Sequence, residues 1–455
     1  MNKVQKLALL YMLLLAVFLY GYAAARFELP PHGLFEPRIK EFEAFAAGAG
    51  LEKDSSVLDK LKNDAGLSPL RFTYGPPDGL YDWHEPLPMT GLRSRREQPQ
   101  VYISDDHPSG YRFIAGAMDF EETFWGALLI SPEGEVVNTW KLTTEHLPGN
   151  KEGDLLKILY GLHIGPDASV TFLMQESGGG IVKVDACGNE VWNLPGLYHH
   201  TVSSNGEGAF WAFEGSQYTL DQDMVKVSEE TGEILQRIDM TEVRKANRYL
   251  HIWDLSMPLL GTVEQRYKIG NLTHGNDIDA LRPDVAASFP QFEVGDLLIS
   301  YATTNLVFVL DPDTLEVKWW RIGLVDYQHD PDWESDGRIT IFSNERRWED
   351  NKSRIVWVDP KTYESGDTFN GEANGFRSPA NGMHQRTEFG SRMVTSANQG
   401  WVFEVDDAGE TVFSFLNTYS QADNRTLFLA DSYHLPANYF TGKPWEQCAP
   451  ADLER

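Results

Sequence analysis

Cysteine is nearly absent from this chain: Cys187 and Cys448 are the only two in 455 residues. Two thiols cannot build a four-cysteine zinc centre or a multi-bridge scaffold, and they either form one bridge or stand apart. Cationic side chains are also scarce, with 39 Lys and Arg against 67 Asp and Glu, and the net charge of −28 is spread along the chain rather than gathered in a tail. That balance excludes nucleic acid or an anionic lipid surface as the main partner, so an anionic substrate needs a local cationic pocket. Long amphipathic helices are missing beyond Tyr102, where short β-rich runs are divided by Gly, Asp, Asn and Pro. What remains, 42% hydrophobic and 12% aromatic residues, describes a folded protein of the size of one closed repeat fold or two ordinary domains.

One long apolar run exists, Leu7 to Ala25, about 19 residues preceded by Lys3 and Lys6. Its length predicts an uncleaved transmembrane anchor over residues 1–26, and the lysines predict that the body lies outside the cytoplasm, on the periplasmic or extracellular side. The alternative is a cleaved signal ending at the small residues Ala23 to Ala25. Residues 27–100 read as a short helical stalk and linker, with Ile39, Phe42 and Phe45, then Val57, Leu58 and Leu61, at helical spacing.

Residues 101–455 carry a repeat. Six segments pass from an aliphatic strand end through an acidic or Gly-containing turn into a new strand: "LISPEGEVVNTW", "KVDACGNEVWNL", "KVSEETGEILQRI", "VLDPDTLEVKWWRI", "WVDPKTYESGDT" and "EVDDAGETVFSF". Asp and Gly supply the turn conformations, and β-branched and aromatic residues suit pleated, half-buried strands. Each segment is expected to join the outer two strands of a four-stranded unit. The spacing of 43 to 54 residues, broken by one gap of 83, matches propeller blades. The fold expected is an all-β, six-bladed β-propeller, with the chain before Tyr102 or after Ser432 closing the ring.

Histidine recurs with the same period. His274, His329 and His384 stand 55 residues apart, each near the expected start of a blade, and His163, His199 and His200 occupy similar places earlier. Such histidines would gather near one mouth of the central channel, where imidazoles bind metal, move protons or attack an electrophile. Asp277, Asp330 and Asp332 offer oxygen ligands, but no cysteine pair or HExxH motif accompanies the histidines, and no metal or cofactor is assigned. Arg346 and Arg347 in "SNERRWED" offer a fork for sulfate, phosphate or carboxylate. Tyr198, Tyr327 and Trp333 are placed to stack on an aromatic ring or to pack the blades.

The strings "HGNDIDAL", "QHDPDWESDGRITIFSNE", "NGMHQR" and "GSRMVTSANQGWVFEVDDAGETVFSF" resemble the bacterial arylsulfotransferases that use no nucleotide sulfate donor, closely from His274 to Phe415 and loosely from His163 to Ile238. The resemblance implies a periplasmic six-bladed propeller that moves a sulfuryl group from a phenolic sulfate ester to another phenol through a sulfated histidine. By position it implies His384 as nucleophile, His274 and His329 as its support, and Arg346 or Arg347 as the anion clamp. His200, His163, Tyr327 and Trp333 would then contact substrate. A membrane-held binding or scaffolding propeller is the second function class, and a hydrolase or lyase acting on an acidic glycan the third.

Overall fold

The structure, a computed structural model, describes residues 72–76, 85–87, 98–105, 109–119, 123–144, 147, 158–175, 179–215, 222–253, 273–346, 352–372, 375–422 and 424–448. The chain divides into two units, Met1–Ser68 and Pro69–Arg455. The first, with the apolar run Leu7 to Ala25 and the stalk, lies outside the described residues. Among the described residues no helix is long and apolar enough to cross a membrane.

The second unit is a six-bladed β-propeller. From the channel outward, blade 2 is Ile158–Ile164, Val170–Gln175, Gly180–Val184 and Glu190–Pro195; blade 3 is Tyr198–Ser204, Ala209–Glu214, Asp223–Ser228 and Ile234–Ile238. Blade 4 is Gly275–Ala280, Leu297–Tyr301, Leu306–Leu310 and Val317–Ile322; blade 5 is His329–Trp333, Ile339–Ser343, Arg354–Val358 and Ser365–Asn370. All six turn segments join the outer two strands of these units, as their Asp/Gly chemistry demands. The wide gap holds a seven-residue helix, Met240–Ala246, whose N-cap Asp239 accepts a hydrogen bond from the Thr241 N–H at 2.7 Å.

Closure uses both ends of the described chain. Blade 1 takes its inner strand, Leu429–Pro436, from the C-terminal region and adds Gly110–Asp119, Thr123–Ile130 and Val136–Lys141. Blade 6, Met383–Arg386, Arg392–Ser396, Trp401–Val405 and Thr411–Leu416, gains Gln100–Ile103 on its outer edge, and Glu85–Pro86 beyond that. Phe72–Tyr74 adds to a small sheet with Arg425–Leu427 and Thr418–Ser420. Strands at 72–74 and 85–86 therefore belong to the propeller unit rather than to a linker, because their backbone groups find partners on its edges.

Each blade buries side chains on both faces, so its strands alternate between two neighbours. Leu297, Ile299 and Tyr301 pack against blade 3, while Leu298 packs with Val307 and Val309 against blade 5. Six apolar clusters result, one for each seam of the ring. Gly161 is required where the inner strands of blades 2 and 3 meet: it has φ 47°, and a Cβ there would lie 2.5 Å from the Val202 backbone nitrogen. After the closing strand, Trp445 packs edge-on against Tyr111 and Phe440, and Cys448 is disulfide-bonded to Cys187 in the outer turn of blade 2. The bridge closes a sequence separation of 261 residues and fastens the C-terminal tail across the seam between blades 1 and 2.

In the chain-entropy limit a loop this long is worth roughly 5 kcal/mol. Replacing both cysteines by serine should therefore lower the melting temperature by about 5 °C or more, and dithiothreitol should lower wild type alone. Equal melting of the two proteins without reductant would show that the bridge adds no stability.

Candidate active site

The inner strands do not run smoothly along the channel. Register shifts occur between Tyr160 and Leu162, His199 and Ser203, Gly275 and Asp277, His329 and Pro331, and Leu429 and Asp431, one in each of blades 1 to 5. A bulge re-aims the side chains of its strand, and several residues at or beside these bulges adopt left-handed backbone: His200 at φ 63°, His274 at 53°, Tyr327 at 53° and Asp330 at 49°. Such conformations cost energy in a non-glycine residue, and they gather around one channel.

At the mouth where the inner strands begin, four histidines meet. His199 Nδ1 lies 2.9 Å from His200 Nδ1, and the His200 ring meets His274 edge-on at 4.8 Å between centroids. Tyr160 stacks on His200 at 5.0 Å, Tyr327 lies 5.6 Å from His274 and 6.3 Å from His329, and the Arg346 guanidinium sits 4.3 Å over the Tyr327 ring. Burial and mutual repulsion keep all four imidazoles neutral. Burial first, then neighbouring charge, brings His199 and His274 to about 3 and His200 well below its ordinary range. Burial, aided by Arg346, brings His329 to about 4 against the hydrogen bond that it donates to Asn344.

His329 has a defined tautomer. The Asn344 amide donates Nδ2–H bonds to the carbonyls of Ser378 and Asn381, each at 2.7 Å, so its Oδ1 must face His329 Nδ1, 2.8 Å away. Nδ1 is then the protonated nitrogen, and Nε2 carries the lone pair.

Further along the channel the lining turns acidic. Asp277, Asp279, Asp330, Asp332, Glu334 and Asp431 border one cavity of ≈ 570 Å³ that His200, His329 and His384 also line. Burial pushes Asp277, Asp330, Asp332 and Asp431 well above the usual carboxylate range, with Asp330 repelling its neighbours, and lifts Asp279 to about 6. His384 belongs to this group. Its side chain is fully buried, Nδ1 lies 2.7 Å from Asp330 Oδ2, and Nε2 lies 2.8 Å from Thr340 Oγ1. The Thr340 hydroxyl donates to Glu334 at 2.8 Å, so His384 Nε2–H donates to Thr340, and Asp330 takes up Nδ1 and the His384 backbone N–H. Neither ring nitrogen is left for a substrate. Asp330, Asp332 and His384 have ligand atoms within 4.8 Å of one another and form the set best suited to a cation.

The structure thus joins His200, His274, His329, Tyr327 and Arg346, and places His384 along the same cavity as His200 and His329 with its ring nitrogens on Asp330 and Thr340. It also places His163 late in its strand, bonded to Glu229 at 3.1 Å, because that strand carries its histidine at the sixth position rather than the start. Trp333 fills the seam of blades 4 and 5 against Phe289 and Phe292, its indole donating to the Asp279 carbonyl, so it is first a packing residue. Tyr198 is likewise buried in the seam of blades 2 and 3. Arg347 lies outside the described residues. Sequence reasoning missed Asn344, Tyr160 and Asn305, whose Oδ1 accepts the Tyr327 N–H at 2.9 Å. Asn344 had one available signal: an uncharged polar residue directly following the five buried residues of a strand.

The buried groups set opposite slopes of stability with pH. The histidines have folded pKa values below the 6.5 of the unfolded chain, so their contribution is lost as pH falls below about 6.5. The carboxyls have values above 3.8, so theirs is lost as pH rises above about 4. Thermal melts should show a stability maximum between those limits, and Asp277→Asn or Asp330→Asn should flatten the alkaline decline. Unchanged alkaline slopes in both variants would mean that these carboxyls are ionised in the fold.

The arylsulfotransferase (ASST) family model matches residues 164–418, more than half of the chain. No curated protein matches the sequence. Among solved structures, a protein of unknown function from Bacteroides caccae is 11% identical over 68% of this chain and 93% of its own, with a TM-score of 0.44. A nidogen/laminin complex structure is 9% identical over 72% and 99%, with a TM-score of 0.42, and TolB from Acinetobacter baumannii is 9% identical over 73% and 68%, with 0.38. Similarities at these scores carry no argument about function.

Proposed function

The chain belongs to the arylsulfotransferase family, and from that premise we propose that it transfers a sulfuryl group from a phenolic sulfate ester to a phenolic acceptor through a histidine of the channel mouth. One observation carries the choice of residue: Asn344 holds His329 with Nδ1 protonated and Nε2 bearing the lone pair, whereas both nitrogens of His384 are engaged.

In this reading His329 Nε2 attacks sulfur, the bond from sulfur to the phenolic oxygen breaks, and the phenolate leaves with the electron pair. Sulfation makes the imidazole ring cationic, which strengthens the Nδ1–H bond to Asn344 Oδ1 as charge develops. Arg346 supplies the positive charge that the spread-out sulfuryl oxygens need, and Tyr160 and Tyr327 offer aromatic faces to the phenyl ring. An acceptor phenolate then attacks the sulfohistidine, the nitrogen–sulfur bond breaks, and neutral His329 returns. Splitting one displacement in two in this way suits a nucleophile that burial keeps unprotonated. The same proposal places the propeller outside the cytoplasm on an N-terminal anchor; the Cys187–Cys448 bridge and the apolar run Leu7 to Ala25 support it.

With a chromogenic aryl sulfate and a phenol acceptor, His329→Ala should lower turnover by at least about 10³-fold, and donor-only incubation of wild type should leave a sulfuryl adduct on His329 by mass spectrometry. An adduct on His384 would return the nucleophile to that residue, and no turnover across a broad donor panel would favour a binding module.

Asn344→Ala should lower kcat by about 10- to 100-fold with little change in KM, since the amide acts on the developing charge. Because burial holds His329 near 4, the acid limb of kcat/KM should fall near pH 4, and a limb near pH 6.5 would show an exposed, ordinary histidine instead.

A further inference from the structure

A second cavity, ≈ 290 Å³, opens between blades 5 and 6 where the turns linking their inner strands lie, and it shares only Glu334 and Arg386 with the lining of the channel cavity. Three arginines line it: Arg338, Arg386 and Arg392. Arg386 and Arg392 stand directly opposite each other on paired antiparallel strands, an arrangement of like charges that weakens a sheet. Arg386 is relieved by Asp336, 3.2 Å away, and Arg338 lies 4.2 Å over the Trp357 ring. Arg392 has no such relief. Its Nε is buried without a hydrogen-bond partner, and burial together with Arg386 lowers the proton affinity of its guanidinium.

Glu334, Asp407 and Asp336 lie near enough to favour the Arg392 charge, but among the described residues no carboxylate of the cleft is hydrogen-bonded to it. Asp336 also accepts the Arg338 N–H, Asp406 accepts the N–H groups of Ala408 and Glu410 within its turn, and Glu334 accepts the Thr340 hydroxyl. A half-buried guanidinium lacking a partner, facing a second arginine across a cavity, is the chemistry of a bidentate oxyanion site.

We propose that the cleft between blades 5 and 6 binds a small oxyanion, a free sulfate or phosphate or the anionic group of a larger ligand, between Arg386 and Arg392. The bound anion neutralises the cross-strand repulsion between the two guanidinium groups. The site is separate from the histidine mouth and does not depend on sulfuryl transfer there.

Isothermal titration of the full chain with sodium sulfate, at ionic strength held constant with sodium chloride, tests it. Wild type should show saturable binding of one sulfate. Arg392→Gln should weaken it by at least about tenfold and Arg386→Gln by a similar factor, while Arg237→Gln, on the outer strand of blade 3, should leave it within about twofold. Arg392→Gln should also melt no lower than wild type without sulfate, since it removes a like-charge pair. Sodium phosphate in the same titration, and an aryl sulfate against it, separate a free-anion site from one for an esterified group. The proposal is overturned if wild type shows no saturable heat with either anion or ester, if Arg392→Gln binds as tightly as wild type, or if that variant melts lower.

Discussion

Ring closure is the constraint on which the remaining structure depends. Leu429–Pro436 must leave blade 6 and become the inner strand of blade 1, more than 300 residues from the strand it pairs with. A buried polar network holds that seam. Glu404 of blade 6 accepts a hydrogen bond from Arg112 at 2.8 Å, from His434 Nδ1 at 3.0 Å and from Ser391, and Arg112 and His434 both belong to blade 1. Burial alone would raise the Glu404 carboxyl, but these donors and the Arg112 charge outweigh it and hold the group at about 2. Removing Arg112 or Glu404 would strand the other's buried charge, so the network specifies which strand closes the ring as well as helping to hold it.

Once the ring is closed, the channel follows. Six apolar seams force the inner strands to converge on one axis, and bulges in five of them turn polar residues toward that axis without disturbing the seams. The channel is therefore lined by groups that a packed core would reject. Its histidines are held neutral and its carboxyls raised for the same reason: burial strips solvation from the charged form, and few opposite charges are near. The two kinds of group lie along one cavity, with histidines at its mouth and carboxyls in its interior.

How far the site was legible from sequence differs among residues. The recurrence of His274 and His329 placed both at the mouth, since position within a blade predicts height along the channel when strands are regular. His384 shares the recurrence but not the company, because the left-handed turn at Asp330 brings a carboxylate against its ring. His163 carries the right residue type at the wrong end of its strand. Asn344, which decides the His329 tautomer, is held by carbonyls of the 378–381 segment, and no local pattern announces that contact.

The sequence by itself determined the period of the fold: six Asp- and Gly-bearing turns, strands alternating toward two neighbours, and the number of blades. These are local properties, set by turn conformations and by the two-residue repeat of a strand. Tertiary structure alone decided that Cys187 meets Cys448, that Glu404 meets Arg112 and His434, and which histidines share a mouth. Those pairings join residues distant along the chain, and they depend on strand register and on single bulges whose effect reverses which way a side chain points.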